Sequence, residues 1–213
     1  MFNMGHTNIY QEPHNIDSKL SSLGVTRKEL IEVAIKAITA KNDAIAIDPI
    51  NAPGQLAYIY GTRALREMLL PKGSWKIDRT DNIEATLNAA ANIRIIYQNV
   101  DIACSTQMPK AISGKGNAAK RLVEYNTGYL WPEMEEEFTG QLNTSIWFFC
   151  VSTNGDEVRA ELSRPSSIEG NQFDDFLERI FILTDNDWNP LSDDSVDDTD
   201  VINLDFDIPV TRK

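Results

Sequence analysis

The chain has 213 residues, of which 42% are hydrophobic and 24% are charged, and its formal net charge is −12 at pH 7. These proportions are those of an ordinary globular protein, so they argue against a chain that is disordered throughout, and the length suffices for a core without metal or disulfide. Apolar runs are short, the strongest being IWFFCV over 146–151, whereas a membrane helix needs roughly 18 apolar residues.

The negative charge is unevenly distributed. Nine aspartates, and no lysine or arginine, lie between Arg179 and Arg212. The rest of the chain is therefore only mildly acidic, and the low isoelectric point does not exclude a local site for an anion.

The two cysteines and the N-terminal residues bear on the cellular compartment. Cys104 and Cys150 are far apart and form no CxxC pattern, which favours free thiols in a reducing compartment, with a disulfide between them left open. The first residues, MFNMGHTNIYQEPHN, have neither the basic region nor the apolar core of a secretory signal. We therefore expect a cytoplasmic protein.

Residues 1–16 are mixed and polar without a sustained period, which predicts an extended N-terminal arm. Thr26 and Glu29 then have the spacing of a capping box, and apolar residues recur at helical spacing after them. This pattern predicts a helix over about 26–41.

A second helix is predicted over 55–69, where one stripe is apolar. Gly61 inside it predicts a close contact or a kink, because glycine costs about 1 kcal/mol relative to alanine in a helix. Short β-branched segments separated by turn residues follow, which predict strands near 75–79, 84–88 and 92–98.

The segments SIWFFCVS and EVRAELS flank TNGD, and Asn-Gly is a strong hairpin signal. The first arm is almost entirely apolar, so we expect a central strand covered on both faces. In the second arm Val158, Ala160 and Leu162 would face the core. The alternating Glu157, Arg159 and Glu161 would face solvent or a partner.

The segment FDDFLERIFILTD over 173–185 begins like a helix and ends like a strand, and its periodicity does not decide between them. Residues 186–200 form an acidic segment. Alternating apolar residues over 201–211 then predict a last strand, and Pro209 places it at a sheet edge.

These elements predict an α+β fold with N-terminal helices followed by a mostly antiparallel β-sheet. After the arm, we expect a single domain over 17–213. Its parts are a helical part over 17–71, a sheet part over 72–185 with a helical insertion at about 104–144, the acidic loop over 186–200 and the edge strand over 201–211.

One basic segment includes the stretch ISGKGNAAKRLVEY. Two glycines and a helix starting near Asn117 could bring backbone amides to a phosphate or a nucleic-acid backbone. The alternative is a flexible loop whose lysines are solvated, and the spacing matches neither nucleotide-binding fingerprint. The candidate anion-binding residues are Lys110, Lys115, Lys120 and Arg121.

Catalytic signatures are scarce. His6 and His14 are the only histidines and both lie in the expected arm, so histidine catalysis and a zinc site are disfavoured. Carboxylates on or beside strands leave metal-dependent chemistry open, with a solvated charge face as the alternative. These are Asp78, Asp81, Glu84, Asp101, Asp156, Glu157 and Glu161. We predict no catalytic residue, no metal ligand and no cofactor.

Two tryptophans are candidate anchors for a protein partner. Trp131 lies in YLWPEMEEEF, just after the basic segment, and Trp188 lies in the acidic segment. That segment could mimic phosphate charge in a basic groove, or it could serve only solubility.

The blocks NIRIIYQNVD, SGKG, GDEVRAELSRP and FLERIFIL and the terminal VTRK resemble a family of uncharacterised bacterial and phage proteins over about residues 72–213. The resemblance brings no established activity or catalytic residues. It implies only a link to phage or mobile-element biology.

Together these features predict a non-catalytic cytoplasmic accessory protein that contacts a larger protein partner, in a phage, mobile-element or defence system that handles nucleic acid. Nucleic-acid binding and a homo-oligomer are both compatible with the sequence, and no membrane contact is expected. One alternative is a metal-dependent nuclease or phosphodiesterase that uses strand carboxylates. Another is a structural virion or assembly component.

Overall fold

A computed structural model of the chain describes residues 7–124, 126, 144–155 and 157–184. Within these residues the chain forms four α-helices and seven β-strands. The helices are α1 (Pro13–Ser22), α2 (Arg27–Asn42), α3 (Ala52–Leu69) and α4 (Asn117–Glu124). The strands are β1 (Asn8–Tyr10), β2 (Trp75–Asp78), β3 (Ala85–Asn88), β4 (Ile93–Asn99), β5 (Ser145–Asn154), β6 (Glu157–Glu169) and β7 (Gln172–Leu183). The predicted α+β class is confirmed.

All the strands belong to one sheet with the order β1-β7-β6-β5-β4-β3-β2. The pairs β1–β7 and β4–β5 are parallel, and the other neighbours are antiparallel. Because β4 and β5 are parallel, the chain between them must cross over one face of the sheet. This crossover contains α4, so the predicted helical insertion is confirmed where the structure describes it.

The prediction of an extended arm over 1–16 is wrong for residues 7–16. β1 pairs with β7 at the sheet edge, and α1 begins at Pro13, which a helix tolerates in its first turn. Ile16 and Leu20 are both buried against the sheet core. A three-residue strand and a short helix are too brief to produce a sustained period in the sequence, and their stability comes from these tertiary contacts.

The two predicted helices are present as α2 and α3. The Thr26 hydroxyl accepts a hydrogen bond from the Glu29 amide at 3.3 Å, and the Glu29 carboxylate accepts one from the Thr26 amide at 2.8 Å. This capping box starts α2 as predicted. Gly61 of α3 makes the expected close contact, since a Cβ there would lie 2.3 Å from the ring of Tyr97.

The ambiguous segment is strand over 173–183, because its pairing with β6 overrides the local helix-like pattern, and residue 185 lies outside the described residues. The β6–β7 ladder has register shifts near Pro165 and Ile168. Phe173 and Phe176 consequently share one face, with ring centroids 5.5 Å apart, although they are three residues apart. Apolar residues spaced three apart are also typical of a helix, so the register shifts explain why the sequence pattern of this strand looked partly helical.

The predicted hairpin joins β5 to β6. Asn154 is the last residue of β5 and pairs with Glu157, so it belongs to the strand and is not a central residue of the turn. Gly155 has a φ of 60°, the left-handed conformation that glycine adopts without strain. β5 is buried on both faces over most of its length, as predicted for the apolar arm.

The two faces of the sheet are covered differently. α1, α2 and α3 pack on one face, against residues such as Tyr97, Phe149 and Leu162. On the other face, the crossover and α4 pack on Ile96 and Phe148. No helix in the described ranges is long and apolar enough to cross a membrane.

Candidate ligand-binding site

The segment 110–116 is held firmly to the sheet, which is not what a flexible loop would show. Ala111 bridges to Val100, and the Gln172 side chain hydrogen-bonds both the amide and the carbonyl of Ala111, at 2.8 and 3.1 Å. The Lys115 amide donates to the Asn171 carbonyl at 2.8 Å. These bonds attach the segment to the β6–β7 turn and fix the backbone that carries Lys115.

The four basic residues predicted to bind an anion differ in their environment. Lys110, Lys120 and Arg121 are exposed, whereas Lys115 is half-buried. The Lys115 ammonium donates to the Gln98 side-chain oxygen and lies 5.2 Å from the ring centroid of Phe148 and 5.6 Å from that of Phe173. Lys115 therefore has contacts with the sheet, and anion binding by the four residues stays a prediction.

Lys115 has an altered titration because of this environment. Burial lowers its pKa to about 8, and the nearby thiol of Cys150 opposes that shift. Among the described residues, no carboxylate forms an ion pair with Lys115. A buried charge usually has a paired counter-charge, and the described residues place an amide oxygen at this amine instead.

Lys115 lies in a cleft of about 630 Å³ between the N-terminal half of α3, the end of β4 and the segment 112–119. This volume is within the range of small-molecule sites. Ile59, Ile83, Ile96 and Phe148 form apolar walls. Gln98, Asn99 and Ser113 contribute polar groups near the amine. Apolar walls with a few convergent polar groups are typical of a site for a small organic molecule.

The cleft exists because β3 and β5 cover different lengths of β4. β3 stops pairing with β4 at Ile96, whereas β5 pairs as far as Asn99. Over 97–99, β4 has β5 on one side, and on the other side the described residues provide no strand. Asp81 and Asn82, with φ angles of 57° and 60°, turn the chain just before β3. The sheet is thus open beside Lys115.

Two side chains of β4 join the cleft to the helix layer. The Asn99 amide donates to the Gly54 carbonyl at 2.9 Å and its oxygen accepts from the Tyr97 hydroxyl at 3.0 Å. Tyr97 in turn packs against Gly61. Residues that are distant in sequence therefore set the shape of the cleft through α3.

Glu161 was predicted to face solvent or a partner, and this is wrong. Its side chain is 0% exposed and that of Arg179 is 2% exposed. The Arg179 guanidinium donates to both carboxylate oxygens, at 2.9 and 2.7 Å, and to the Ser105 carbonyl at 2.9 Å. The Cys104 amide and the Ser163 hydroxyl complete the carboxylate's bonds. The crossover covers the face of β6 that carries Glu161, so the alternation of apolar and charged residues along β6 did not make that face exposed.

Both cysteines are free thiols in the structure, and neither is suited to act as a nucleophile. Cys104 donates a hydrogen bond to the Ala160 carbonyl, and Cys150 is fully buried. Burial raises the pKa of both thiols, with the negative charge of Glu161 as the next contribution. The thiolate is the reactive form, so these cysteines are held in the unreactive state.

Asp156, one of the strand carboxylates considered for metal chemistry, lies outside the described residues, and the described ones form no metal-binding group. Arg66 and Arg79 bind Glu84, at 2.5 and 3.2 Å, and the hydrogen bond from Arg66 lowers the pKa of Glu84. Asp78 pairs with Arg94 at 2.7 Å. The described part of the chain contains no group of three or more histidine, cysteine or acidic residues placed to hold a metal ion. The candidate anchors Trp131 and Trp188 lie outside the described residues.

Comparison of the chain with protein-family models, curated proteins and solved structures found no match. The function therefore has to be inferred from the cleft itself. The sequence pointed to Lys115 but gave no sign of its neighbours Gln98, Phe148 and Phe173. Gly114 brings the backbone close to the β6–β7 turn, since a Cβ there would lie 2.7 Å from the Asn171 side chain.

Proposed function

We propose that this protein binds a small organic molecule in the cleft that contains Lys115, and that it works as a binding protein without a catalytic step of its own. The observation that carries the proposal is Lys115, a half-buried residue that lines a cleft of about 630 Å³ and whose amine is bonded to an amide oxygen instead of a carboxylate. The ligand would place an electron-rich group, such as a carboxylate or carbonyl oxygen, at this amine. Its apolar body would contact Ile59, Ile83 and Ile96.

A screen of small carboxylates, carbonyl compounds and matched neutral analogues tests this proposal. Binding would be detected by the shift in melting temperature and measured by isothermal titration calorimetry. The Lys115→Met variant removes the amine and keeps an unbranched side chain of similar length. Lys76→Met is the matched control, because Lys76 is exposed on β2 and is not part of the cleft wall.

We expect ligands that stabilise the wild type to bind Lys115→Met at least tenfold more weakly and Lys76→Met with unchanged affinity. A tenfold change corresponds to about 1.4 kcal/mol of binding free energy. Binding that is equal in wild type and Lys115→Met would overturn the proposal. So would a screen in which no compound binds the wild type.

We further propose that the protein is a cytoplasmic accessory protein that docks on a larger partner, as its sequence suggests. Ile45, Ile47 and Ile50 support this, because they are exposed apolar side chains in the loop before α3, next to the cleft. The two free thiols fit a reducing compartment. Size-exclusion chromatography with light scattering, on the protein purified from its host with and without nuclease, would detect a bound partner. A lone monomer in both samples would contradict this part.

The exposed Lys110, Lys120 and Arg121 support contact with an anionic partner such as nucleic acid. Fluorescence anisotropy with labelled single- and double-stranded DNA tests this directly. Charge reversal of Lys120 and Arg121 should abolish any binding, while Lys115→Met should leave it unchanged. If the double reversal binds DNA as well as the wild type does, these cations are only solvated.

A further inference from the structure

We propose that Lys115 is a nucleophile that captures an aldehyde or ketone in the cleft as a reversible imine. This inference rests on the proposed ligand-binding function and names the chemical class of the ligand. It begins with the partner of the amine: the Gln98 amide oxygen accepts a hydrogen bond from Lys115. An amide oxygen can accept from a neutral amine as well as from an ammonium group, whereas a carboxylate would favour the charged form.

The surroundings of the amine are apolar: burial in them disfavours the charged form, while the faces of the two phenyl rings attract a cation. Phe148 and Phe173 pack edge-to-face with ring centroids 4.9 Å apart, and the Lys115 nitrogen lies within 6 Å of both centroids. Phe148 is also part of the cleft wall. Lys115 lines the cleft and its amine is partly removed from water, and desolvation is one way in which lysine nucleophiles are activated.

The lowered pKa of Lys115, about 8, agrees with this geometry. About a tenth of such an amine is neutral at pH 7, whereas an ordinary lysine has roughly one neutral amine in several thousand. The other titratable side chains of the cleft are Tyr58, Tyr97 and Glu84. Glu84 is bonded to Arg66 and Arg79, and the Tyr97 hydroxyl to Asn99, so neither side chain competes for the Lys115 proton.

The reaction is balanced without an oxidant or a reductant. The neutral nitrogen of Lys115 attacks the carbonyl carbon, and a proton moves from nitrogen to oxygen to form a carbinolamine. The carbon–oxygen bond then breaks, one water molecule leaves, and a carbon–nitrogen double bond remains. Hydrolysis reverses these steps and releases the carbonyl compound, so the capture is a form of binding.

The cleft walls define the ligand further. Ile59, Ile83 and Ile96 line the cleft, so the carbonyl group should carry an aliphatic or aromatic body. Ser113 also lines the cleft and can hydrogen-bond one additional polar substituent. We therefore choose benzaldehyde as the probe and benzoate as its non-reactive analogue, since benzoate has the same ring and no electrophilic carbon of comparable reactivity.

The experiment traps the imine by reduction. Wild-type protein is incubated at pH 7 with benzaldehyde and sodium cyanoborohydride, which converts an imine to a stable secondary amine. Intact mass spectrometry measures the number of benzyl groups, and peptide mapping locates them. We expect Lys115 to be labelled at least tenfold faster than any exposed lysine, and benzoate to slow this labelling.

Three variants control the result. Lys115→Met and Lys115→Arg should both lose the fast label, and Lys115→Arg keeps a positive charge that cannot form an imine. Lys76→Met should keep the fast label. Circular dichroism and the melting temperature of each variant establish that it is folded, and the wild-type labelling pattern alone decides the question if a variant is not.

The outcomes distinguish the proposal of an imine from the proposal of a ligand-binding cleft. Labelling of Lys115 at the rate of exposed lysines would overturn the imine proposal. If benzoate nevertheless binds the wild type and not Lys115→Met, the proposed binding function survives without it. If neither benzaldehyde nor any compound of the screen interacts with the cleft, both proposals are overturned.

Discussion

Arg179 is a buried cation and Lys115 a half-buried one on the same face of the sheet, and the fold gives them different partners. Arg179 is bonded to both oxygens of Glu161 and to a backbone carbonyl. Lys115 has an amide partner, two aromatic neighbours and an open cleft beside it. The crossover closes over the arginine pair but leaves the lysine at the point where β3 ends. We interpret the ion-paired arginine as a structural element, and the lysine without a carboxylate partner as part of the proposed ligand site.

The chemistry of arginine and lysine fits the different environments of Arg179 and Lys115. The planar guanidinium has five donors that match a carboxylate, and it stays charged in a protein. An amine is a point charge that shifts its pKa readily on burial. Arginine is thus suited to a permanent internal pair, and lysine to a site where its protonation can change.

The largest effect is expected from breaking the arginine pair. Glu161→Gln leaves Arg179 buried without a counter-charge, and removing one partner of a buried pair costs about 3–5 kcal/mol. Urea unfolding would measure the loss. The control is Glu67→Gln, because the Lys36–Glu67 pair is more than half exposed on both sides and should contribute less than about 1 kcal/mol. Equal effects in the two variants would contradict the structural role of Glu161.

The second expected effect is an increase in the free energy of unfolding. Lys115→Met should raise the free energy of unfolding at pH 7, by up to about 3 kcal/mol, because burying the ammonium costs stability. A pKa lowered to about 8 means that the unfolded chain binds more protons than the folded one between about pH 8 and 10.5. Wild-type stability therefore rises with pH in that window.

Denaturant unfolding of the wild type and Lys115→Met at several pH values tests whether the variant is the more stable protein. The difference between wild type and Lys115→Met should be largest below pH 8 and should disappear by about pH 10.5. Titrations elsewhere in the chain are common to both proteins and cancel in the difference. A variant that is less stable than the wild type at pH 7, or a difference independent of pH, would show that the amine is not penalised by burial.

The smallest effect is expected for an exposed cation of the same segment. Lys120→Gln should change the free energy of unfolding by less than about 0.5 kcal/mol, because surface substitutions away from special contacts rarely do more. The same urea experiment measures it. A cost above 1 kcal/mol would mean that Lys120 has a structural contact comparable to those of the buried cations.

Several elements could be predicted because their signals are local. The capping box of Thr26 and Glu29 starts α2, and Gly155 in the β5–β6 turn has the positive φ that a tight hairpin needs. Pairing of β2, β3 and β4 follows from short β-branched segments separated by turns. In each case a few neighbouring residues carry the free energy that selects the conformation.

The candidate site could be predicted only in part. Lys115 stood out between its two glycines, but the exposed Lys110, Lys120 and Arg121 were grouped with it because sequence proximity was taken for spatial proximity. Gln98, Phe148 and Phe173 come from three strands, and nothing local connects them to residue 115. The direction in which a lysine points depends on the backbone on both sides of it, which here is held by Asn171 and Gln172.

By itself, the amino-acid sequence determined the fold class, the principal helices and the central hairpin, because helix caps, turns and alternating apolar residues act over a few positions. The tertiary structure alone decided that 173–183 is a strand, that residues 7–16 form an edge strand and the start of a helix, and that Glu161 is buried while Lys115 lines a cleft. Those outcomes depend on strand pairing and on what covers each face, and both are set by residues far apart in the chain.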